Sequence, residues 1–74
     1  MLSDLSRLSP GESGTPLEVV PSPLSGKLLE MGILSQPRVT ALFAAPSGDP
    51  VAYQWGGAVV ALRKKDARWI RIRV

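Results

Sequence analysis

With 74 residues and no cysteine, the chain has room for a single core and no disulfide to supplement it; a domain of this size buries roughly 60 to 65 per cent of its open-chain surface. An apolar fraction of 45% must therefore supply the stabilisation, and no apolar stretch approaches the ~18 residues a spanning helix needs. The formal charge of +3 admits a phosphate-bearing partner, but it is a small excess, concentrated where Arg63, Lys64, Lys65, Arg68, Arg71 and Arg73 crowd the C-terminal end.

The opening residues, MLSDLSRLSPGESG, contain no basic region followed by an apolar run. An export signal is not expected, and the chain is read as cytoplasmic. Ser9, Pro10, Gly11 and Glu12 form a turn. Thr15 to Val20 then carries Leu17, Val19 and Val20, a first strand whose bounding Pro16 and Pro21 argue for an edge position. From Ser22 the period changes: Leu24, Leu28 and Met31 recur at i, i+4 and i+7, the stripe of an amphipathic helix of two to three turns. Ser22 is the expected cap with Pro23 at the first helical position. Gly32 is the expected left-handed stop, and Ile33 folds back onto the helix.

Val39 to Ala45 reads as a strand, and Pro46 to Pro50 as a rigid loop. Val51, Tyr53 and Trp55 alternate with Ala52 and Gln54, which puts the three large groups on one inward face. Gly56 and Gly57, both expected at positive φ, turn the chain into a hairpin that returns through Val60 and Leu62. Lys64 to Ala67 is a short polar 3₁₀ turn. It leads into a last strand, Arg68 to Val74, with Ile70, Ile72 and Val74 on one face and Trp69, Arg71 and Arg73 on the other. Five short strands, one helix after the first and a 3₁₀ turn before the last predict an all-β, SH3-like barrel occupying residues 1–74 as one domain. A plain antiparallel sheet with a helix on one face is the alternative.

The residue types restrict the chemistry. Divalent transition metals favour imidazole, carboxylate and thiolate ligands, and His and Cys are both absent. The carboxylates Asp4, Glu12, Glu18, Glu30, Asp49 and Asp66 include no pair spaced as neighbours on a helix face, so no metal site and no cofactor are expected. Catalysis needs a converging nucleophile and base, and the usual near-neutral base is missing. The chain is therefore read as non-enzymatic. Gly48-Asp49-Pro50 is a turn and no phosphate loop. Asp49 is expected to close an Asx-type turn on its own backbone, with contact to a partner the other reading.

The segment AAPSGDPVAYQWGGAVVALRKKDARWIRIRV resembles the FeoA family, as do KLLEMGI at Lys27 to Ile33 and the opening LSRLSPGESG. The likeness rests on Ala45, Pro46, Gly48, Asp49, Pro50, Val51, Gly57, Ala61, Leu62, Arg63, Ala67 and Ile70, and it spans nearly the whole chain. Departures at Gly26, Gln36-Pro37 and Phe43 alter surface and not core. The resemblance implies an SH3-like domain and a cytosolic accessory protein of ferrous-iron uptake. Its implied partner is the cytosolic GTPase region of FeoB, the membrane iron permease, with no insertion of the chain itself into the membrane.

Candidate partner-binding residues are Lys27 and Glu30 on the helix, Phe43, Ser47 and Asp49 around the proline-bounded loop, and Trp69, Arg71 and Arg73 on the last strand. Trp and Arg commonly form the energetic centre of protein interfaces. The same stripe could clamp single-stranded nucleic acid, which makes a small basic nucleic-acid-binding barrel the alternative function. It could also merely deter edge-to-edge strand pairing. Phe43 is either buried between two packed faces or left exposed as a contact for FeoB or a second copy.

Overall fold

The computed structural model describes residues 1–74 as an antiparallel sheet wrapped into an incompletely closed barrel. Six strands run β1 (Leu2–Asp4), β2 (Ser13–Val19), β3 (Val39–Ala44), β4 (Val51–Trp55), β5 (Ala58–Leu62) and β6 (Ile70–Arg73). A helix α1 (Ser25–Glu30) follows β2, and a one-turn helix α2 (Lys64–Ala67) precedes β6. The spatial order is β1-β6-β2-β3-β4-β5, with no ladder between β5 and β1. The mainly-β, SH3-like architecture is as expected from strand spacing and parity. It gains a sixth strand, because Leu2–Asp4 pairs with Arg71 to Arg73 across the whole length of the chain.

β2 is an interior strand and not an edge. Ser13 and Gly14 pair with β3, after which Thr15 to Val19 pairs with β6, so β2 belongs to both halves of the sheet. Pro16 fits because the β3 pairing has already ended at Gly14 and the β6 register shifts directly after Pro16. Both are places where a strand tolerates a residue without an N–H. Gly14, at the changeover, is buried. A Cβ there would lie 2.8 Å from Ile72 Cδ1 and 3.0 Å from the Arg73 carbonyl oxygen.

α1 begins at Ser25, two residues later than the Ser22 cap requires. The Ser25 hydroxyl reaches back instead, donating to the Ser22 carbonyl at 2.9 Å and accepting the Ser22 N–H at 3.2 Å. The helix stops as expected, with Gly32 at φ 74° and Ile33 fully buried behind it. In the β4–β5 hairpin only Gly56 takes positive φ. The expected 3₁₀ turn at Lys64 to Ala67 is α-helical, because Ala67 N–H reaches Arg63 O at 2.9 Å and Arg68 N–H reaches Lys64 O at 3.1 Å.

Val51, Tyr53 and Trp55 all point inward with Val39, Ala41, Leu62, Ile70 and Ile72, joined by Leu5, Leu28 and Ile33. Trp55 does more than fill space. Its indole N–H donates to the Met31 carbonyl at 3.0 Å, satisfying one of the carbonyls that a helix end leaves open and tying α1 to the sheet. Val74, expected inward, is half-exposed beyond the end of β6.

Candidate functional site

The end of the sheet formed by β1, β6 and β2 carries the larger concavity, a cleft of about 700 Å³. Trp69 and Arg71 line it from β6 and the residue before it; Leu17 and Glu18 from β2; Leu2 and Asp4 from β1; Arg7 and Arg68 from the flanking turns. Arg71 and Arg73 do not guard an edge, since β6 is flanked by β1 and β2 on either side. The edge-protection reading of the Trp69, Arg71 and Arg73 stripe therefore has no strand edge to protect. Strand parity turns Arg71 and Arg73 outward, while Ile70 and Ile72 point to the core on the opposite face.

Electrostatically the cleft is mixed with a cationic excess. Arg71 Nε lies 3.2 Å from Glu18 Oε1, an exposed pair worth at most about 1 kcal/mol and readily exchanged for an incoming carboxylate. Arg7 lies 3.9 Å from Asp4, whose carboxylate is mainly engaged by Ser6 through its N–H and hydroxyl. The Arg68 guanidinium stacks 4.6 Å from the centroid of the Trp69 ring. This cation–π contact holds the indole at the cleft wall.

The remaining candidates lie elsewhere, so the eight residues do not form one site. Lys27 and Glu30 are exposed on α1, Lys27 beside a second groove of about 280 Å³ between α1 and β5. Phe43 is 62% exposed. A bulge between Ala41 and Phe43 absorbs Leu42 and turns Phe43 to the outer face, opposite Ala52. Arg73 is exposed but lies outside the cleft lining.

Ser47 and Asp49 serve the loop. The Ser47 hydroxyl donates to the Asp49 carbonyl at 2.9 Å. The Asp49 carboxylate does not close an Asx turn on its own backbone; its Oδ1 accepts the Lys64 N–H at 2.9 Å, 15 residues away in sequence. It therefore caps α2 from the neighbouring loop, in the role an N-cap side chain normally plays. Asp49→Ala is expected to cost about 1 kcal/mol, read as a lowered urea midpoint without change in slope.

On β4 the Tyr53 side chain is fully buried, and its hydroxyl has no hydrogen-bond partner. Burial first, then the Asp49 and Asp4 charges, push the phenol up to about 12. The neutral form is the one the fold accepts. Stability is thus fully present below the ordinary pKa near 10.0 and is lost as pH rises through about 12. Tyr53→Phe is expected to be neutral or to stabilise by about 1 kcal/mol at pH 7. It should also flatten the alkaline loss in a series of urea melts between those two pH values.

Among ionisable groups, no three His, Cys, Asp or Glu side chains come together. No helix is long and apolar enough to cross a membrane. A family model described as the FeoA domain matches residues 4–74. The chain belongs to the FeoA family. Solved FeoA structures share its fold: the FeoA protein from Chlorobium tepidum is 25% identical with a TM-score of 0.84, over 96% of this chain and 69% of that one. A FeoA-like protein from Clostridium acetobutylicum is 27% identical at TM-score 0.84, covering 99% and 86%. A crystal structure titled iron uptake regulatory protein (FeoA) is 28% identical at TM-score 0.76, covering 99% and 96%. No curated protein matches in sequence. In this FeoA chain the Gly48-Asp49-Pro50 motif is scaffold: it shapes the loop that caps α2, and α2 in turn presents Arg68 and Trp69.

Proposed function

We propose that the chain is a non-enzymatic accessory protein of ferrous-iron uptake, working in the cytoplasm by binding the GTPase region of the FeoB permease through the Trp69 cleft. Membership of the FeoA family implies the role in ferrous-iron transport, and the family is one of accessory domains. The observation that carries the docking reading is the cleft itself: a part-exposed Trp69 held by Arg68 beside Arg71 and Arg7, over a rigid floor of paired strands. An aromatic anchor surrounded by arginines suits a protein surface that offers an apolar side chain and carboxylates. The carboxylates would displace Glu18 from Arg71 and pair with Arg7. Single-stranded nucleic acid is the weaker occupant, because Arg68 already covers one face of the only ring available for stacking there.

The test is a titration of the cognate FeoB cytosolic region with the intact chain. Trp69→Ala and Arg71→Ala should each weaken binding by about tenfold or more, whereas Arg38→Ala, on the β3 side, should leave it unchanged. Full-strength binding by both cleft variants would move the interface elsewhere. No binding by the wild-type chain, together with normal iron uptake in its absence, would remove the proposal.

A further inference from the structure

The β5 edge of the sheet is open in a way the β1 edge is not. β5 is five residues long, Ala-Val-Val-Ala-Leu, with no charged side chain and no proline. Its only ladder is to β4, and it stands at the end of the strand order. Proteins usually blunt such an edge with lysine, proline or a bulge. None is present, as the β4–β5 pairing runs without a register shift from Trp55↔Ala58 to Val51↔Leu62.

The hairpin geometry shows which backbone groups are free. A two-residue loop makes its closing pair, Trp55 and Ala58, a hydrogen-bonded one, and every second pair follows suit. Tyr53↔Val60 and Val51↔Leu62 are then the bonded pairs. The N–H and C=O groups of Val59 and Ala61 therefore point off the sheet. No turn, loop or cap bond uses them. Val59 is 56% exposed and Ala61 is exposed beside it.

We propose that this edge pairs with the same edge of a second copy, antiparallel, with the two-fold axis at Val60. In that register Val59 faces Ala61 of the second copy and Ala61 faces its Val59. Each facing pair exchanges two hydrogen bonds, so all four free groups of each copy are used. An isologous contact sets residue i against j and j against i, with only Val60, on the axis, meeting its own equivalent, and it tolerates no charge there. β5 itself meets that condition along its whole length, and the one charged side chain lining the groove beside it is Lys27 of α1. The outer face adds continuity: Phe43, Ala52 and Ala61 stand opposite one another across β3, β4 and β5. Val59 of the second copy prolongs that apolar row. A contact between two five-residue strands is small, so the dimer is expected to be reversible and concentration-dependent. It leaves the Trp69 cleft free at the other end of the sheet and does not depend on docking there.

Sedimentation of the intact chain from micromolar to millimolar concentration, with amide exchange measured in parallel, tests the pairing. The average mass should climb towards the dimer while the Val59 and Ala61 amides alone gain protection. Val59→Lys and Ala61→Pro should each weaken association by at least about tenfold. Both positions lie on the open edge, where a charge or a missing N–H is compatible with the monomer fold, and a well-dispersed amide spectrum verifies that it is kept. A monomeric mass throughout, the result expected if the edge instead receives an extended segment of another protein, overturns the proposal. So does a dimer that both variants leave intact or in which the two amides stay unprotected.

Discussion

Trp55→Ala is expected to remove about 3–5 kcal/mol of stability, a large share of the roughly 4–11 kcal/mol that a chain of this length possesses. Trp55 is 2% exposed and among the largest of the fully enclosed side chains, on a strand whose neighbours Tyr53 and Val51 are equally enclosed. Truncation leaves a cavity that the β4 ladder on either side prevents from collapsing. It also strands the Met31 carbonyl, which loses its indole donor at the end of α1. The helix is only six residues long with no side-chain cap at its start, so it depends on this tether. Trp55→Phe separates the two contributions: most apolar volume remains while the bond is lost, at about 1–2 kcal/mol. Urea unfolding followed by circular dichroism measures both. A Trp55→Ala midpoint close to wild type would show that the helix and sheet are not coupled through this residue.

Gly14→Ala is expected to cost about 2 kcal/mol, within the range for overpacking a filled interior. The added carbon would lie 2.8 Å from Ile72 Cδ1, 3.0 Å from Arg73 O and 3.3 Å from Val74 Cγ1. Ile72 is fully buried and cannot swing away freely, and Arg73 O belongs to backbone paired with β2. The strain falls where β2 passes from one partner strand to the other, so it should loosen the β2–β6 ladder ahead of β4–β5. Amide exchange should therefore quicken at Val19 and Ile72 more than at Tyr53. Equal stability of Gly14→Ala and wild type would mean that the two sheet halves approach less closely than described.

Much of this architecture was legible in local patterns. The alternation of Val51, Tyr53 and Trp55 placed three core residues correctly, because strand parity depends only on neighbours. Gly32 and Ile33 marked the helix end for the same reason. What escaped was non-local. Leu2–Asp4 is too short to signal a strand and exists only through its pairing with β6, which also makes Leu5 and Leu8 core residues. Pro16 suggested an edge because a proline reports a missing donor but not where the neighbouring ladder ends. Ala52 was expected outside by parity, yet it is buried under the register with Phe43.

The site divides along the same line. Trp69 and Arg71 could be singled out from one strand's alternation, and the cleft contains both. Arg7, Glu18 and Arg68 could not, since they come from three other segments that meet there only after β1 and β2 flank β6. Asp49 was read as serving its own loop, whereas its carboxylate caps a helix 15 residues further on. That contact could have been anticipated only from the fold.

The most direct measurement is a map of backbone amide shifts in the labelled chain as the FeoB cytosolic region is added. Docking through the cleft predicts changes clustered at Arg7, Leu17, Glu18 and Arg68 to Arg71, with the Trp69 indole signal among the largest. Lys27 and Phe43 should stay still. Shifts confined to α1 and Phe43, or none at any ratio, would contradict it.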